Sequence, residues 1–481
     1  MLNLTKIIPP PSLTNFNRMP DKDQSPTTTA QPQLENNNKP KPTLGSWDAV
    51  AIIVGIVIGA GIFRSPSLVA SSVDSESLLL TAWFLGGLVS FIGALCYAEL
   101  ITAFPNAGGD YYFLLRAFGR RLAFLFAWAR MSVVQTGSIA LLAFIFGDYM
   151  AQLIDVGQYS SVFFAALIVV LLTAINIMGL KLGTGTQKFL TILEVFGVLL
   201  IIVAGFFFIP AAPEATASAV SEGGDGLNSL GLAMVFVLLT FGGWNEAAYI
   251  SAEVKSGRGL MVKALIISIL TITVVYFLVN MAYLRGLGLE GMAASNAVAG
   301  DLMEIAFGEA GLILMALIVV IAALTSANAT IFTGARSNYA LGRDFPIFSA
   351  LGKWDSKTSG PVNAFIVQGI VSLILISLGL FSRSGFETMV EYTAPVFWFF
   401  FLLVGISLFI LRIKEPNVRR PFKVPLYPFT PLVFCCTSAY LLYSSIAYTG
   451  WGALVGVGVL LAGVLLQLFM QMKNTPNGQE K

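Results

Sequence analysis

The sequence predicts an all-α integral membrane protein with 12 transmembrane helices. Of its 481 residues, 56% are hydrophobic and only 11% are charged, and apolar stretches follow one another from residue 46 onward. A soluble domain carries roughly 25% charged residues, so this chain has too few charges to give several soluble domains a polar surface. Each apolar stretch of about 20 residues is long enough to cross the ~30 Å hydrocarbon core of a membrane.

The predicted spans take up most of the chain. An even number of spans places both ends of the chain on the same side of the membrane. The spans are residues 46–70, 78–103, 122–150, 160–180, 187–209, 229–251, 261–284, 308–333, 362–381, 386–411, 427–447 and 450–472.

Two tails are predicted around a single twelve-helix domain at residues 45–472. Residues 1–44 alternate proline with Asn, Gln, Thr and Lys and lack an apolar period, which is typical of a disordered segment. No apolar core followed by a small-residue cleavage site occurs there, so we expect no signal peptide. Residues 473–481 are predicted to form the second tail.

Lysine and arginine are distributed unequally between the two sides. The loops of one side carry 17 cations, whereas those of the other side carry two, Arg285 and Arg383. Cytoplasmic loops of membrane proteins hold the excess of Lys and Arg. We therefore expect the cation-rich side and both termini to be cytoplasmic. The cations of that side are Arg116, Arg120, Arg121, Lys181, Lys188, Lys255, Arg258, Lys263, Arg336, Arg343, Lys353, Lys357, Arg412, Lys414, Arg419, Arg420 and Lys423.

Residue types needed for enzymatic or metal chemistry are scarce. The sequence has no histidine, the commonest general base and metal ligand. Its cysteines, Cys96, Cys435 and Cys436, lie in apolar runs without disulfide or metal-ligand spacing. We expect no enzyme activity, no metal and no cofactor. The net charge of +2 gives no sign of a nucleic-acid partner.

Two spans contain glycines that would interrupt a transmembrane helix. Span 1 contains the run Gly59-Ala60-Gly61, and span 6 contains Gly242-Gly243. A glycine costs roughly 1 kcal/mol in a helix interior, and opened backbone is tolerated in a membrane where it lines a polar cavity. Interrupted spans in corresponding positions of two halves indicate a transporter binding site. The alternative, that these glycines are helix-packing notches, stays open from spacing alone.

Five motifs lie in order along residues 46–472. They are GIVIGAGIF (residues 55–63) in span 1, CYAEL (96–100), GGDY (108–111), FGGWN (241–245) in span 6 and RRPFKVP (419–425). Together they resemble the amino acid–polyamine–organocation superfamily, and in particular its L-type amino acid transporter branch. The resemblance covers nearly everything except the tails.

The resemblance implies a leucine-transporter-type fold. This is a five-plus-five inverted repeat with discontinuous helices 1 and 6, followed by two additional helices. The first repeat would cover residues 46–209, the second residues 229–411, and helices 11 and 12 residues 427–472. The resemblance also implies that a free amino acid binds between helices 1 and 6.

The same resemblance assigns binding residues. The α-carboxylate would accept hydrogen bonds from amides at the start of a half-helix, whose positive dipole end favours an anion. The α-ammonium would donate to backbone carbonyls at the two breaks. Polar side chains of span 8 would lie nearby, or instead bond carbonyls of their own helix. The amides are those of Gly59, Ala60 and Gly61; the carbonyls lie around Val57, Leu239 and Thr240; Gly242 permits close approach; and the span 8 residues are Ser326 and Asn328.

Two departures from the L-type branch bear on substrate and partner. Members of the branch usually have an aromatic residue that covers the binding site where this chain has Leu239. Leucine forms a smaller lid over the site, which favours neutral L-amino acids of small to medium size. Heavy-chain-linked members carry a cysteine between spans 3 and 4, and residues 155–159 contain none. We expect no disulfide-linked partner, and a monomer or homo-oligomer in the plasma membrane.

Three ionisable residues are predicted to lie well inside the spans: Arg130, Glu194 and Glu246. Such groups cost roughly 2.5–3.5 kcal/mol at the membrane centre. At a rise of about 1.5 Å per residue, Arg130 lies ~12 Å and Glu194 ~10 Å from the same side of the membrane. These similar depths allow an ion pair between them. Glu246, at a depth of ~8 Å, could compete with Glu194 for Arg130. Many sodium-independent relatives carry a lysine at the position of Glu194. The pair is either structural or couples transport to a cation or proton.

The resemblance therefore implies a sodium-independent exchanger of neutral L-amino acids that works by alternating access. A proton-coupled amino acid, amine or polyamine permease of the same superfamily is the alternative. A sensor that binds an amino acid without transport is a third hypothesis. Glu99 and Asp110, near the inner ends of spans 2 and 3, are expected to be capping groups in the solvated interface.

Overall fold

The described part of the protein consists of helices without a β-strand. A computed structural model describes residues 50, 53–55, 57–106, 108–179, 184–210, 226–250, 258–355, 358, 360–381, 384–447 and 451–474. The predicted all-α class is confirmed for these residues. The predicted tail at residues 1–44, and residues 475–481 of the second tail, lie outside the described residues.

The helices make up most of the described residues. In lipid, a helix satisfies its backbone polar groups internally, which is why apolar stretches of this length become helices. The α-helices are α1 (Ser65–Ser71), α2 (Glu76–Ala103), α3 (Gly109–Phe118), α4 (Arg120–Ala129), α5 (Gln135–Leu153), α6 (Ser160–Ile177), α7 (Thr184–Val203), α8 (Gly226–Thr240), α9 (Ala247–Ile250), α10 (Arg258–Ala294), α11 (Val298–Asp344), α12 (Val362–Leu378), α13 (Gly385–Lys414), α14 (Phe429–Ala447) and α15 (Trp451–Asn474).

Nine helical segments among the described residues are long and apolar enough to cross a membrane. They coincide with predicted spans 2–4 and 7–12. Predicted span 5 corresponds to α7 and a π-helical turn at Ala204–Phe208. Predicted spans 1 and 6 are divided, because 3-10 helices at Ala60–Phe63 and Trp244–Glu246 interrupt them. The segment from α4 to α5 is continuous through a second π-helical turn at Arg130–Val134.

Glycines divide the two longest helices. Gly288 in α10 and Gly308 in α11 both have a φ of 67°, a left-handed conformation that glycine adopts without steric cost. Each helix therefore consists of a long apolar piece and a shorter, more polar piece. The shorter pieces lie between predicted spans 7 and 8, where hydropathy alone indicates a loop.

The interrupted segments lie inside the bundle. The short helix α1 packs against α8 and α10, and the 3-10 helix before it packs against α5 and α11. An aromatic cluster of Trp83, Phe241 and Tyr276, with ring centroids 5.1–6.1 Å apart, fills the space beside the break in span 6. This packing holds the two breaks against each other.

Glu99 is a buried hub rather than a solvated cap, so the interpretation of this residue as an interfacial group is wrong. Its carboxylate accepts hydrogen bonds from Arg412 (2.8 Å to Nε) and from the Val424 amide (2.7 Å), and it lies 3.4 Å from Nε of Arg420. The side chain is only 2% exposed. The RRPFKVP motif after α13 is thereby attached to α2.

Candidate functional site

The break in span 1 starts at Ile58 and Gly59. The Gly59 amide donates to the carbonyl of Val57 at 2.8 Å, and Gly59 is extended with φ −113° and ψ −168°. The chain then enters the 3-10 helix Ala60–Phe63. In such a helix each amide bonds the carbonyl three residues earlier, so the amides of Ala60 and Gly61 have no partner within it. They form a pair of donors at the start of the second half of the span.

The break in span 6 depends on two glycines. The Gly242 amide donates to the carbonyl of Leu239 at 3.0 Å. A Cβ atom at Gly242 would lie 2.8 Å from that carbonyl oxygen, closer than real Cβ contacts. Gly243 follows with a φ of 108°, and its amide donates to Oδ1 of Asn245 at 3.3 Å. Both positions therefore require glycine for this backbone path.

The two breaks face each other directly. A Cβ atom at Gly61 would lie 3.6 Å from Cγ2 of Thr240, an ordinary van der Waals distance. The hydroxyl of Tyr276 on α10 donates to the carbonyl of Val57 at 2.7 Å, and it lies 3.4 Å from the carbonyl of Thr240. Tyr276 is fully buried. Sequence reasoning missed Tyr276, because a tyrosine in an apolar run gives no signal of its own.

The structure brings most of the predicted binding residues together, but not all of their polar atoms are available. The amides of Ala60 and Gly61 start the 3-10 helix beside Thr240. In contrast, the carbonyl of Val57 already accepts hydrogen bonds from Gly59 and Tyr276. An anionic group is thus provided with donors, whereas the acceptors at Val57 are engaged in this conformation.

The predicted residues of span 8 lie on α11, which packs against the 3-10 helix of span 1. Ser326 is half-buried, and its carbonyl accepts the hydroxyl of Thr330 at 2.8 Å. Oδ1 of Asn328 accepts a hydrogen bond from Asn176 on α6 at 2.7 Å. The contact of Asn328 that the structure describes therefore connects α11 to α6.

The buried arginine of span 3 pairs with span 6. Arg130 begins the π-helical turn between α4 and α5, and its Nη2 lies 3.7 Å from Oε1 of Glu246. The predicted Arg130–Glu194 pair is wrong, and the predicted competitor Glu246 takes its place. Glu194 lies on α7, which packs against α10 and α11, and it interacts electrostatically with Tyr276. Equal depth in the membrane does not make two helices neighbours.

A second carboxyl group lies near Arg130. Asp110, at the start of α3 and outside the membrane-spanning helices, is 4% exposed rather than solvated. Burial and the nearby Glu246 raise the pKa of Asp110 to about 7, while Arg130 and hydrogen bonds of Tyr97 and Asn245 oppose the rise. The interpretation of Asp110 as an interfacial cap is therefore wrong. The GGDY motif draws attention to Asp110, but the sequence does not show that Asp110 is buried.

A further charged residue, Arg64, lies in the second half of span 1, after the break. Nε of Arg64, directly after the 3-10 helix, is 3.3 Å from Oδ2 of Asp148 near the end of α5. Nη1 of Arg64 donates to the carbonyl of Ser295 at 3.1 Å, and Nη2 donates to Oδ1 of Asn296 at 3.1 Å. The sequence signal for this group is an arginine inside an apolar stretch.

Comparisons with known proteins cover nearly the whole chain. A family model described as "Amino acid permease" matches residues 44–468. The b(0,+)-type amino acid transporter 1 of Mus musculus is 29% identical over 441 residues, covering 89% of this chain and 88% of the relative. The cystine/glutamate transporter of Homo sapiens is 28% identical over 420 residues, covering 86% and 82%. The large neutral amino acids transporter small subunit 2 of Mus musculus is 30% identical over 440 residues, covering 88% and 80%.

Proposed function

The chain belongs to the amino acid permease family, and from this we propose that it moves neutral L-amino acids across the membrane by sodium-independent exchange. The family membership confirms the resemblance inferred from the motifs. It also confirms the expectation of a transporter rather than an enzyme. Alternating access, in which one central site opens to each side in turn, is the mechanism we propose.

The observation that carries the proposal is the meeting of the two helix breaks. Gly61 lies beside Thr240, and the amides of Ala60 and Gly61, which have no partner within their 3-10 helix, offer a backbone site for a carboxylate. The α-ammonium of the substrate would then lie toward the carbonyls of Leu239 and Thr240. Because the hydroxyl of Tyr276 donates to the carbonyl of Val57, it fixes the position of the break that the substrate would contact.

The size of the substrate side chain is proposed from Leu239, the residue predicted to form the lid of the site. Leu239, the last residue but one of α8, is half-buried at the break. A leucine gives an apolar lid that is smaller than an aromatic ring, and residues 58–61 and 239–243 include no charged side chain. Two relatives are named as a large neutral amino acids transporter and a cystine/glutamate transporter, so the proposed size limit rests on Leu239 and not on their names. We therefore propose small to medium neutral side chains as the preferred substrates.

The proposed architecture combines the described helices with the predicted spans. It has 12 transmembrane helices in a domain at residues 45–472, with inverted repeats at 46–209 and 229–411, two further helices at 427–472, and tails at 1–44 and 473–481. The cation-rich end of the bundle faces the cytoplasm, with both termini. The plasma membrane is the proposed location. Because residues 155–159 contain no cysteine, we propose no disulfide-linked partner, and a monomer or homo-oligomer.

Proton coupling is the second candidate function. One observation favours it: Asp110 and Glu246 surround Arg130 at the cation-rich end. A buried carboxyl that titrates near neutral pH provides a place for a coupling proton. Glu194 is a further candidate for that role, as a buried acidic residue on α7.

A competition panel tests the proposed function. Purified protein in proteoliposomes would take up radiolabelled leucine while unlabelled compounds compete from outside. We expect Ala, Ser, Leu and Met to compete, and Arg, Lys and polyamines to compete weakly. Stronger competition by amines or polyamines would overturn the neutral-substrate proposal. Binding of leucine without any uptake would instead support a sensor.

A further inference from the structure

A network of buried polar contacts closes the cation-poor end of the bundle. Arg64 contacts Asp148 on α5 and both Ser295 and Asn296 between α10 and α11. The hydroxyl of Ser67 on α1 also donates to the carbonyl of Ser295, at 2.6 Å. These contacts join the second half of span 1 to two other parts of the bundle.

A second set of contacts lies directly beside the first. The hydroxyl of Tyr149 donates to the carbonyl of Phe63 at 2.7 Å, and it accepts a hydrogen bond from the Ala299 amide at 3.3 Å. The ring of Phe386 on α13 lies 5.9 Å from the guanidinium carbon of Arg64. Elements of span 1, α5, α11 and α13 thus converge on one arginine, three residues after Gly61.

The two ion pairs of spans 1 and 6 differ in their access to water. The side chains of Arg64 and Asp148 are 3% and 15% exposed, whereas those of Arg130 and Glu246 are 19% and 38% exposed. The ion pair at the cation-poor end is therefore the more buried of the two.

We propose that Arg64 and Asp148 form the outer gate of the transport pathway, and that their pairing stabilises the conformation closed to the outside. This inference rests on the proposed alternating access and orientation. Opening the outer end requires the second half of span 1 to move away from α5 and from residues 295–296. The buried charges make closure specific, because a displaced guanidinium must find water or another anion.

Accessibility of a cysteine at the breaks tests the gate. Leu239→Cys would be introduced together with Cys436→Ser, which removes the cysteine that is exposed among the described residues. A membrane-impermeant thiol reagent is then applied from either side of reconstituted vesicles. In Asp148→Asn, we expect the ratio of outside to inside labelling rates to rise about tenfold, as expected when a minor outward-open state becomes populated. An unchanged ratio would overturn the proposal.

Matched variants separate gating from general damage. Glu415→Gln removes a more exposed ion pair with Arg116 at the opposite end, and we expect it to leave the ratio unchanged. Asn296→Ala removes one acceptor of Arg64 without changing charge, and should raise the ratio by a smaller factor. If both Asp148→Asn and Asn296→Ala leave the ratio unchanged in folded protein, the gate is excluded. Because labelling needs no substrate, this outcome is independent of the competition panel.

Discussion

The hydroxyl of Tyr276 donates a 2.7 Å hydrogen bond to the carbonyl of Val57 and lies 3.4 Å from the carbonyl of Thr240. One side chain from α10 thereby connects the interrupted backbones of spans 1 and 6. Carbonyls freed by a helix break are costly in a membrane unless they find a donor. Tyr276 provides that donor and positions the two breaks as one site.

Tyr276→Phe is expected to weaken substrate binding. Loss of a hydrogen bond that leaves a buried carbonyl with fewer donors costs roughly 1–3 kcal/mol, or about a tenfold change in affinity. The affinity for leucine, measured by scintillation proximity, checks this. The control is Tyr283→Phe on the same helix, because the Tyr283 hydroxyl has no hydrogen-bond partner in the described structure. Equal affinities in the two variants would count against the bridging role of Tyr276.

Two glycine variants are expected to differ. In Gly242→Ala the new methyl group would lie 2.8 Å from the carbonyl oxygen of Leu239, so the break in span 6 must shift. In Gly61→Ala it meets Thr240 at 3.6 Å, which is an ordinary contact. We expect Gly242→Ala to lose at least about tenfold in affinity, roughly 1.4 kcal/mol, and Gly61→Ala to bind nearly normally. Equal behaviour of the two would show that the break geometry does not control binding.

A double-mutant cycle checks the partner of Arg130. Arg130→Met combined with Glu246→Gln should show a coupling energy of about 1 kcal/mol in thermal unfolding, a low value because Glu246 is partly exposed to solvent. Arg130→Met combined with Glu194→Gln should be close to additive, because the carboxylate paired with Arg130 is that of Glu246. A larger coupling with Glu194 would restore the pairing expected from depth alone.

The stability of the protein is expected to fall as pH rises from about 4 to 7. The pKa of Asp110 is raised from 3.8 to about 7 in the folded state, mainly by burial. Between these values the folded chain binds more protons than the unfolded chain, so the free energy of unfolding decreases with pH. Melting temperatures across this range, compared between the native protein and Asp110→Asn, measure the effect. The slope should be smaller in Asp110→Asn, and an identical slope would exclude Asp110 as its origin.

Glu99→Gln is expected to destabilise the fold without affecting the substrate site. Removing the charge leaves Arg412 and Arg420 without their buried carboxylate, and breaking a buried pair costs roughly 3–5 kcal/mol. Glu415→Gln is the matched control, because pairs near the surface contribute about 0–1 kcal/mol. Thermal unfolding in detergent distinguishes them. Equal melting temperatures would mean that the Glu99 hub is dispensable.

Hydropathy and glycine placement predict the helices well, and side-chain partners poorly. The length of an apolar stretch is dictated by membrane thickness, so nine segments of the described residues appear where they are expected. Gly243 marks the break in span 6 because few other residues accept its φ of 108°. The partner of Arg130 depends on which helices are neighbours, and depth along one axis carries no such information. Tyr276 and Arg64 were missed for the same reason, since only packing reveals what they contact.

Counterflow of a neutral amino acid tests the central claim most directly. Proteoliposomes are loaded with unlabelled leucine or left empty, and labelled leucine is added outside without sodium and without a pH gradient. We expect rapid accumulation of label in the loaded vesicles and little in the empty ones, with the difference lost in Gly242→Ala. Equal uptake into loaded and empty vesicles, or uptake that requires an inward proton gradient, would contradict exchange at the two helix breaks.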